Sequence, residues 1–258
     1  MKIIDDPKEL QNFCLSFSGT IGFVPTMGAL HAGHMSLIEQ SKQQNDLSIV
    51  SIFVNSTQFQ KKDDLDKYPR TLESDKALLD AAGVDVLFLP DFASIYPDNY
   101  TIKVTESDIS GILDGASRPG YFDGIQTVVL KLLNLTQATN SYFGEKDFQQ
   151  CLIVEKMVKS FFLPTTIHRG STLRESDGLA MASRNLRLSE SGRKLASKMI
   201  ETVRSQPDIQ LAKKQLTDLG FEVDYLEDHF NRRFIACYLE GVRLIDNIAW
   251  PPQSTKSQ

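Results

Sequence analysis

Short apolar runs alternate with segments of helical spacing along the first two thirds of the chain. Residues 21–25, 47–54, 84–89 and 141–143 are the apolar runs, and their length and continuity are typical of strands buried on both faces. Apolar residues recur at helical spacing over residues 33–43, 72–82, 124–135 and 148–161. This alternation predicts a Rossmann-like α/β fold, with a parallel sheet and helices on both of its faces.

Local signals support two of the predicted boundaries. Asp6, Pro7 and Glu9 occupy the N-cap, first and third positions of a helix that should extend to residue 16. Gly83 follows the helix predicted over residues 72–82, where a glycine commonly ends a helix.

The pattern changes after residue 171. Residues 189–205 and 209–219 have helical spacing, whereas residues 221–226, 234–239 and 242–245 resemble short strands. We therefore predict a large Rossmann-like domain over residues 1–171 and a smaller α+β domain over residues 172–258. The polar, proline-led tail over residues 251–258 is expected to be frayed.

Composition and charge narrow the classes of function. The 258 residues are 41% hydrophobic, enough to form a sizeable core. The 28 basic and 33 acidic residues give a net charge of −5, so nothing in the overall balance favours nucleic acid or anionic lipid. A phosphate ligand would need a local site.

Cysteine spacing and the N-terminal residues bear on the cellular compartment. Cys14, Cys151 and Cys237 show no C-x-x-C spacing, which argues against a disulfide framework or a thiolate zinc site and favours reduced, buried thiols. Residues 1–6 precede no apolar run of signal-peptide length, and no stretch reaches membrane-spanning length. The expected location is the cytoplasm.

A first candidate site is the loop from Thr26 to His34, between a predicted strand and a predicted helix. The carboxyl end of a parallel strand borders a ligand crevice, and a helix N-terminus offers N–H groups to phosphate. His31 and His34 share one side of the first turn, where two imidazoles could donate hydrogen bonds to a transferring phosphate. The alternative, which stays open, is that the two histidines are a helix cap and a surface residue. A zinc pair is less attractive, since no cysteine or carboxylate cluster lies nearby in the sequence.

Two further segments carry polar residues that suit a phosphate ligand. Over residues 143–150, Lys146 offers a point charge, Asp147 an N-cap or a ribose contact, and Gln150 lies one turn further on. Over residues 174–185, Ser183 beside Arg184 suits a clamp that closes over a triphosphate. A solvated helix start and an ordinary polar linker are the respective alternatives.

Taken together, several motifs resemble the family of pantothenate synthetases, the pantoate–β-alanine ligases of the nucleotidyltransferase superfamily. The resemblance covers nearly the whole chain, and it implies that residues 1–171 bind nucleotide and pantoate and that residues 172–258 form a lid domain. His31 and His34 are similar to the HIGH signature, and Met181 to Arg184 are similar to the KMSKS-type loop of the superfamily. The motifs that carry the resemblance are residues 25–31, 51–55, 68–71, 144–147, 183–185 and 243–247.

The resemblance implies an ATP-dependent ligase that forms pantoyl adenylate and pyrophosphate, and then lets β-alanine attack to give pantothenate and AMP. It implies that His34 donates a proton to the departing phosphate, with His31, Lys146, Ser183 and Arg184 as the other catalytic residues. The resemblance also implies a Mg²⁺ ion held by the phosphates. It implies a homodimer as well. The implied ATP contacts are Met27, Gly28, Ala29, Leu30, His31, Ala32, Gly33, His34, Gly144, Glu145, Lys146, Asp147, Leu173, Met181, Ala182, Ser183 and Arg184.

The resemblance also implies that Gln58 and Gln150 hold pantoate, with Gln58 near the approach of the amine. Arg118 is a weaker candidate, and Tyr68 and Arg70 are as much structural as functional candidates. Asp75 is a possible magnesium contact, but no convincing carboxylate set surrounds it in the sequence.

Three positions depart from the family pattern. Ser56 stands where proline is common, and Leu173 stands where valine is more familiar. Ala182 replaces a serine, and losing a hydrogen bond to a phosphate there would cost roughly 1.5–3 kcal/mol if nothing replaced it.

Two other functions remain open from the sequence. One is a related adenylyltransferase that acts on a phosphorylated acceptor, and the other is a non-catalytic nucleotide-binding module. The ligase hypothesis depends on a spatial prediction: the segments around His34, Lys146 and Arg184 should converge on one triphosphate.

Overall fold

The computed structural model describes residues 1–251, which form two compact units. The first unit is Met1–Ser171, and the second begins at Thr172. The tail predicted to be frayed lies outside the described residues from residue 252 onward.

A six-stranded parallel sheet forms the centre of the first unit. Its order is β1-β4-β3-β2-β5-β6, and every neighbouring pair is parallel. The strands are β1 (Lys2–Ile4), β2 (Ile21–Thr26), β3 (Leu47–Ile52), β4 (Val86–Phe88), β5 (Asn140–Gly144) and β6 (Thr166–Gly170).

Helices cover both faces of this sheet, which confirms the predicted fold class. Side chains of β2 alternate between two cores, with Phe23 packed in one beside helices α1, α7 and α8, and Val24 in the other beside α2 and α4. The helices are α1 (Pro7–Ser16), α2 (Ala32–Gln44), α3 (Lys62–Asp66), α4 (Leu72–Ala81), α5 (Phe92–Ile95), α6 (Leu113–Ser117), α7 (Tyr121–Thr136) and α8 (Phe148–Ser160).

The local boundary signals act as predicted. The Asp6 carboxylate accepts a hydrogen bond from the Glu9 N–H at 2.7 Å, so it caps α1. Gly83, just after α4, has φ +68°, a left-handed conformation that glycine adopts without a Cβ penalty.

The strand order reverses direction between β2 and β5. From β2 the chain proceeds through β3 to β4 on one side, and β5 and β6 then add on the other side. The carboxyl ends of β2 and β5 therefore flank a topological switch point, where open parallel sheets bind ligands.

Two strands of the first unit escaped prediction. β1 has only three residues, too few to show a period, and it lies at one edge of the sheet. β6 lies at the other edge and includes His168 and Arg169, so it lacks the apolar run of a central strand. Edge strands are stabilised on one side only, and their sequence pattern is correspondingly weak.

The second unit has an antiparallel sheet of order β7-β8-β9 and two longer helices. One apolar face of this sheet packs with the helices into a separate core. The elements are α9 (Glu190–Ser205), α10 (Ile209–Asp218), β7 (Glu222–His229), β8 (Arg232–Leu239) and β9 (Val242–Ala249). The predicted α+β class is confirmed, although β7 and β9 extend several residues beyond their predicted ends.

Cys14, Cys151 and Cys237 are free and buried, as predicted. Within residues 1–251, no helix has both the length and the apolar character needed to cross a bilayer.

Candidate active site

The loop after β2 is held in an unusual conformation. The Thr26 hydroxyl donates to the Ser51 carbonyl at 2.7 Å and accepts from the Gly28 N–H at 3.2 Å. Gly28 and Ala29 both have positive φ, at +79° and +50°. Non-glycine residues rarely adopt this conformation, so the loop needs stabilising contacts.

Asp75 of α4 supplies those contacts. Its carboxylate, 2% exposed, accepts from the Ala29 N–H and the Leu30 N–H, each at 2.9 Å. The Thr71 hydroxyl donates to the same group. With its oxygens engaged by these donors, Asp75 holds the loop. The hypothesis that Asp75 contacts magnesium stays a prediction, which these hydrogen bonds do not favour.

His31 and His34 interlock at the N-terminus of α2. His31 is the N-cap, and its Nδ1 accepts from the Gly33 N–H at 3.2 Å. The His34 Nδ1 in turn accepts from the His31 N–H at 3.3 Å, and the ring centroids are 4.0 Å apart. His31 is therefore a cap, as the alternative interpretation held, but His34 is tied to it and is not a separate surface residue.

These contacts determine which nitrogen of each ring carries a proton. A backbone N–H can only donate, so both Nδ1 atoms are acceptors and each neutral ring has its proton on Nε2. Burial and the nearby Lys146 charge lower the pKa of His31 to about 4. Burial, His31 and Lys146 lower the pKa of His34 to about 3. At neutral pH the pair offers two uncharged Nε2–H donors.

We predict that both histidines titrate far below pH 6.5 and show Nε2–H tautomers in the absence of nucleotide. Two-dimensional ¹H–¹⁵N NMR of the imidazoles would measure both properties. Because the folded-state pKa values are lowered, the unfolded chain binds more protons between about pH 3 and 6.5. Stability contributed by the neutral pair should therefore be complete above pH 6.5 and be lost as the pH falls. A His34 resonance that titrates near pH 6.5 would contradict this assignment.

The residues after β5 lie beside this histidine pair. Gly144 ends β5, and Glu145, Lys146 and Asp147 form one 3-10 turn before α8. The charge of Lys146 acts on both His31 and His34, so the loops after β2 and β5 share one side of the switch point. The His34 and Lys146 segments thus lie together, as the ligase hypothesis requires.

Asp147 occupies the N-cap position of α8 but makes no side-chain capping bond. Its carboxylate instead lies 3.6 Å from the Lys146 ammonium. The predicted N-cap position is correct, whereas the predicted capping interaction is not. The ribose contact stays a prediction.

Gln58 follows β3, the strand next to β2. Its Oε1 accepts from the Asn55 side-chain amide at 3.1 Å. Within residues 1–251, the Gln58 Nε2 has no hydrogen-bond partner, so its two protons remain available to a ligand. Arg118 donates to the Gln58 backbone carbonyl at 3.1 Å, and its guanidinium stacks over the Tyr121 ring. The contact of Arg118 with Gln58 is therefore to the backbone.

The adjacent residues Gln149 and Gln150 differ in their contacts. Gln149 is buried and ties down the segment before α6 through Asp114, Ile109 and Ile112. Gln150 is half-buried, and its amide has no hydrogen-bond partner in the described part of the chain. Only Gln150 keeps its hydrogen-bonding capacity for a substrate.

Tyr68 and Arg70 act in the structure of the first unit. Arg70 donates to the carbonyls of Leu65, Asp66 and Tyr68, and therefore closes the segment after α3. The buried Tyr68 ring packs edge-on against Phe59, with centroids 5.6 Å apart.

In the second unit, backbone contacts bring the remaining candidates together. The Met181 N–H donates to the Leu173 carbonyl at 3.0 Å, and a 3-10 turn, Ser183–Arg187, follows Ala182. Ser183 is buried and Arg184 is half-buried. Arg174 forms a bidentate ion pair with the buried Asp246, at 2.6 and 2.9 Å, which anchors this segment to β9. The convergence of Arg184 with His34 and Lys146 stays a prediction.

Comparison with known proteins identifies the family. The model of the pantoate–β-alanine ligase family matches residues 2–249. The pantothenate synthetase of Bdellovibrio bacteriovorus is 49% identical over 247 residues, which are 96% of this chain and 98% of that relative. The chain belongs to the pantoate–β-alanine ligase family. This confirms the resemblance drawn from the sequence motifs.

Solved structures of this family share the fold. The ligase from Francisella tularensis, complexed with beta-gamma ATP and beta-alanine, is 42% identical, with a TM-score of 0.93 over 96% of this chain and 97% of that one. The pantothenate synthetase from Thermus thermophilus is 36% identical, with a TM-score of 0.87 over 96% of this chain and 99% of that one.

Sequence reasoning missed the roles of two residues that shape the candidate site. The role of Asp75 could have been found, because it lies four residues before the buried Leu79 on the apolar face of α4, where a carboxylate needs hydrogen-bond donors. Asn55 was recognised only as part of a motif. No hydrophobic periodicity marks Asn55, because its partners come from turns and helices distant in the chain, including Gly124 of α7.

Proposed function

We propose that this chain condenses pantoate with β-alanine through a pantoyl adenylate, with release of pyrophosphate and AMP. The observation that carries the proposal is the group at the switch point. There the α2 N-terminus, two neutral imidazoles and the Lys146 ammonium lie side by side. Such a group suits the charge that develops on a phosphate during displacement.

In the first step, a pantoate carboxylate oxygen attacks the α-phosphorus of ATP, and the bond to the bridging oxygen of pyrophosphate breaks. Lys146 and the α2 N-terminus stabilise the negative charge on the phosphates. His31 and His34 donate hydrogen bonds through Nε2–H. Because both rings are neutral, we assign His34 as a hydrogen-bond donor and not as an imidazolium acid.

In the second step, the neutral β-alanine amine attacks the acyl carbon, the bond from that carbon to the AMP oxygen breaks, and the nitrogen releases a proton to water. Adenylation matters because a free carboxylate is a poor acyl donor, whereas AMP is a good leaving group. The enzyme contributes mainly by placing the reactants in line and by stabilising charge.

Further roles in nucleotide binding rest on the family resemblance. Met27 to His34 and Gly144 to Asp147 would contact ATP in the first unit. Leu173, Met181, Ala182, Ser183 and Arg184 would contact it from the second unit, which we propose acts as a lid. With Ala182 in place of serine, Ser183 is the one hydroxyl within residues 181–184 that can bond a phosphate oxygen.

Mg²⁺ would be held by the phosphates and water, where it screens the triphosphate charge. Among residues 1–251 no three carboxylate, histidine or cysteine side chains cluster as metal ligands, and Asp75 is engaged by N–H donors. We therefore assign no protein residue to the ion.

Gln58 and Gln150 are proposed to hold pantoate. We predict that Gln150→Ala raises the KM for pantoate about tenfold, the effect of one lost hydrogen bond to a charged group, with the KM for ATP nearly unchanged. Steady-state kinetics with each substrate varied would measure both constants. Gln43→Ala, which removes an exposed glutamine of α2 bonded to Glu39, is the matched control. A change confined to the KM for ATP would contradict the role of Gln150.

The function itself is tested by product analysis. ATP, pantoate and β-alanine together should give equimolar AMP, pyrophosphate and pantothenate, and pantoate should support ATP–pyrophosphate exchange without the amine. Consumption of a phosphate-ester acceptor without AMP release would instead favour an adenylyltransferase.

A homodimer and a cytoplasmic location are also proposed. The first rests on the family resemblance, and the free, buried thiols agree with the second.

A further inference from the structure

The amide of Asn55 uses all of its hydrogen-bonding capacity. This side chain is 1% exposed and lies just after β3. Its Nδ2 donates to the Gln58 Oε1 at 3.1 Å and to the Gly124 carbonyl at 3.2 Å. Its Oδ1 accepts from the Thr57 hydroxyl and the Tyr96 hydroxyl, each at 2.9 Å. An amide with four partners is fixed in one orientation.

The partners also determine that orientation. The Gly124 carbonyl can only accept, so the Asn55 atom that faces it must be the amide nitrogen. The second N–H of that nitrogen then faces Gln58, whose atom there must be the acceptor Oε1. The Gln58 Nε2 consequently points away from Asn55 and is left to donate to another oxygen.

Tyr96 is the buried end of this network. Its side chain is fully buried, and the rings of Phe53, Phe92 and Tyr100 pack around it at centroid distances of 6.4, 4.8 and 5.3 Å. Burial raises the pKa of Tyr96 to about 12, so the hydroxyl keeps its proton and can donate. Gly124 brings α7 so close that a Cβ there would lie 2.8 Å from the Thr57 backbone.

We propose that Tyr96 is a positioning residue for substrate selection, acting through Asn55 on the amide of Gln58. Its donated hydrogen bond holds the Asn55 oxygen, and Asn55 in turn holds the Gln58 oxygen. Gln58 then presents N–H groups, which donate to a carboxylate, whereas a reversed amide would present an oxygen and repel that carboxylate. This inference rests on the proposed role of Gln58 in pantoate binding.

Tyr96→Phe tests the proposal because it removes one hydroxyl and leaves the packed ring. We expect the KM for pantoate to rise about 2–13-fold, the size expected for one neutral hydrogen bond, with the KM for ATP unchanged. Tyr142→Phe is the matched control. That buried ring also bonds through its hydroxyl to amides, those of Asn45 and Gln44, but it lies on the other side of the sheet from the Asn55 network.

A double-variant cycle separates a positioning role from general destabilisation. If Tyr96 acts through Gln58, adding Tyr96→Phe to Gln58→Ala should cause no further rise in the KM for pantoate. Additive effects, or equal effects of Tyr96→Phe and Tyr142→Phe, would overturn the proposal. An unchanged KM in Gln58→Ala alone would remove the substrate role of Gln58, whereas a change in Gln58→Ala with none in Tyr96→Phe would reject only the role of Tyr96.

Discussion

Replacing His34 by alanine is expected to lower the rate of pantoate-dependent pyrophosphate release by about 10²–10⁴-fold while the protein stays folded. The substitution removes the Nε2–H donor that faces the departing phosphate in our proposal. It also removes the Nδ1 acceptor of the His31 N–H, so the N-terminus of α2 loses part of its capping. Single-turnover measurement of pyrophosphate release, with thermal unfolding as a check on folding, would show the effect.

His34→Gln separates a hydrogen-bond donor from a proton donor. A glutamine amide can place an N–H near the position of Nε2, but it cannot release a proton to a leaving group. Because the pKa of His34 is lowered to about 3, we expect His34→Gln to recover part of the rate lost in His34→Ala. We also expect no inflection near pH 6.5 that depends on His34. Equal rates in the two variants, together with such an inflection in the wild type, would restore the acid role.

Hydrophobic periodicity and the local signals at helix ends sufficed to predict most of the fold. The central strands are continuous apolar runs because both faces of the sheet are covered, and β3 shows this over most of its length. Capping by Asp6 and the left-handed Gly83 marked helix ends through local chemistry. The edge strands β1 and β6 were missed. β1 is too short to show a period, and β6 is too polar to form an apolar run.

The candidate site was predictable only in part. Strand ends pointed to the loops around His34 and Lys146, and the resemblance pointed to Gln58 and Gln150. What the sequence could not show is how side chains distant along the chain fix one another. Tyr96 lies 41 residues from Asn55 and Asp75 lies 46 residues from Ala29, and such pairs leave no periodic trace.

The protonation of the histidine pair also required the structure. His-x-x-His spacing places two imidazoles on one side of a turn, but it does not say which nitrogens are occupied. Two backbone donors, the N–H groups of Gly33 and His31, decide this by occupying both Nδ1 atoms. The Nε2–H groups of the two rings and the Lys146 ammonium therefore form a fixed array of donors around one full positive charge.

Asp75→Asn should raise the KM for ATP about 10–100-fold, although it changes one atom of a residue that touches no substrate in our proposal. The Ala29 and Leu30 N–H groups bond to different carboxylate oxygens. An asparagine offers one oxygen, so its NH₂ group must face one of these donors. Leaving a buried N–H unpaired costs about 1–3 kcal/mol, which here falls on a loop with two left-handed residues.

Two controls make this result specific to the loop. Thr71→Val removes a hydroxyl that donates to Asp75 but leaves both acceptors for the loop, so its effect on the KM for ATP should be several-fold smaller. Asp46→Asn alters a carboxylate that accepts from the Thr20 N–H and hydroxyl before β2, at the opposite end of that strand, and should leave the KM unchanged. If Asp75 bound magnesium instead, raising the Mg²⁺ concentration would restore ATP affinity in Asp75→Asn. A loop held by hydrogen bonds predicts no such recovery, because added metal cannot replace an acceptor for the Ala29 and Leu30 N–H groups.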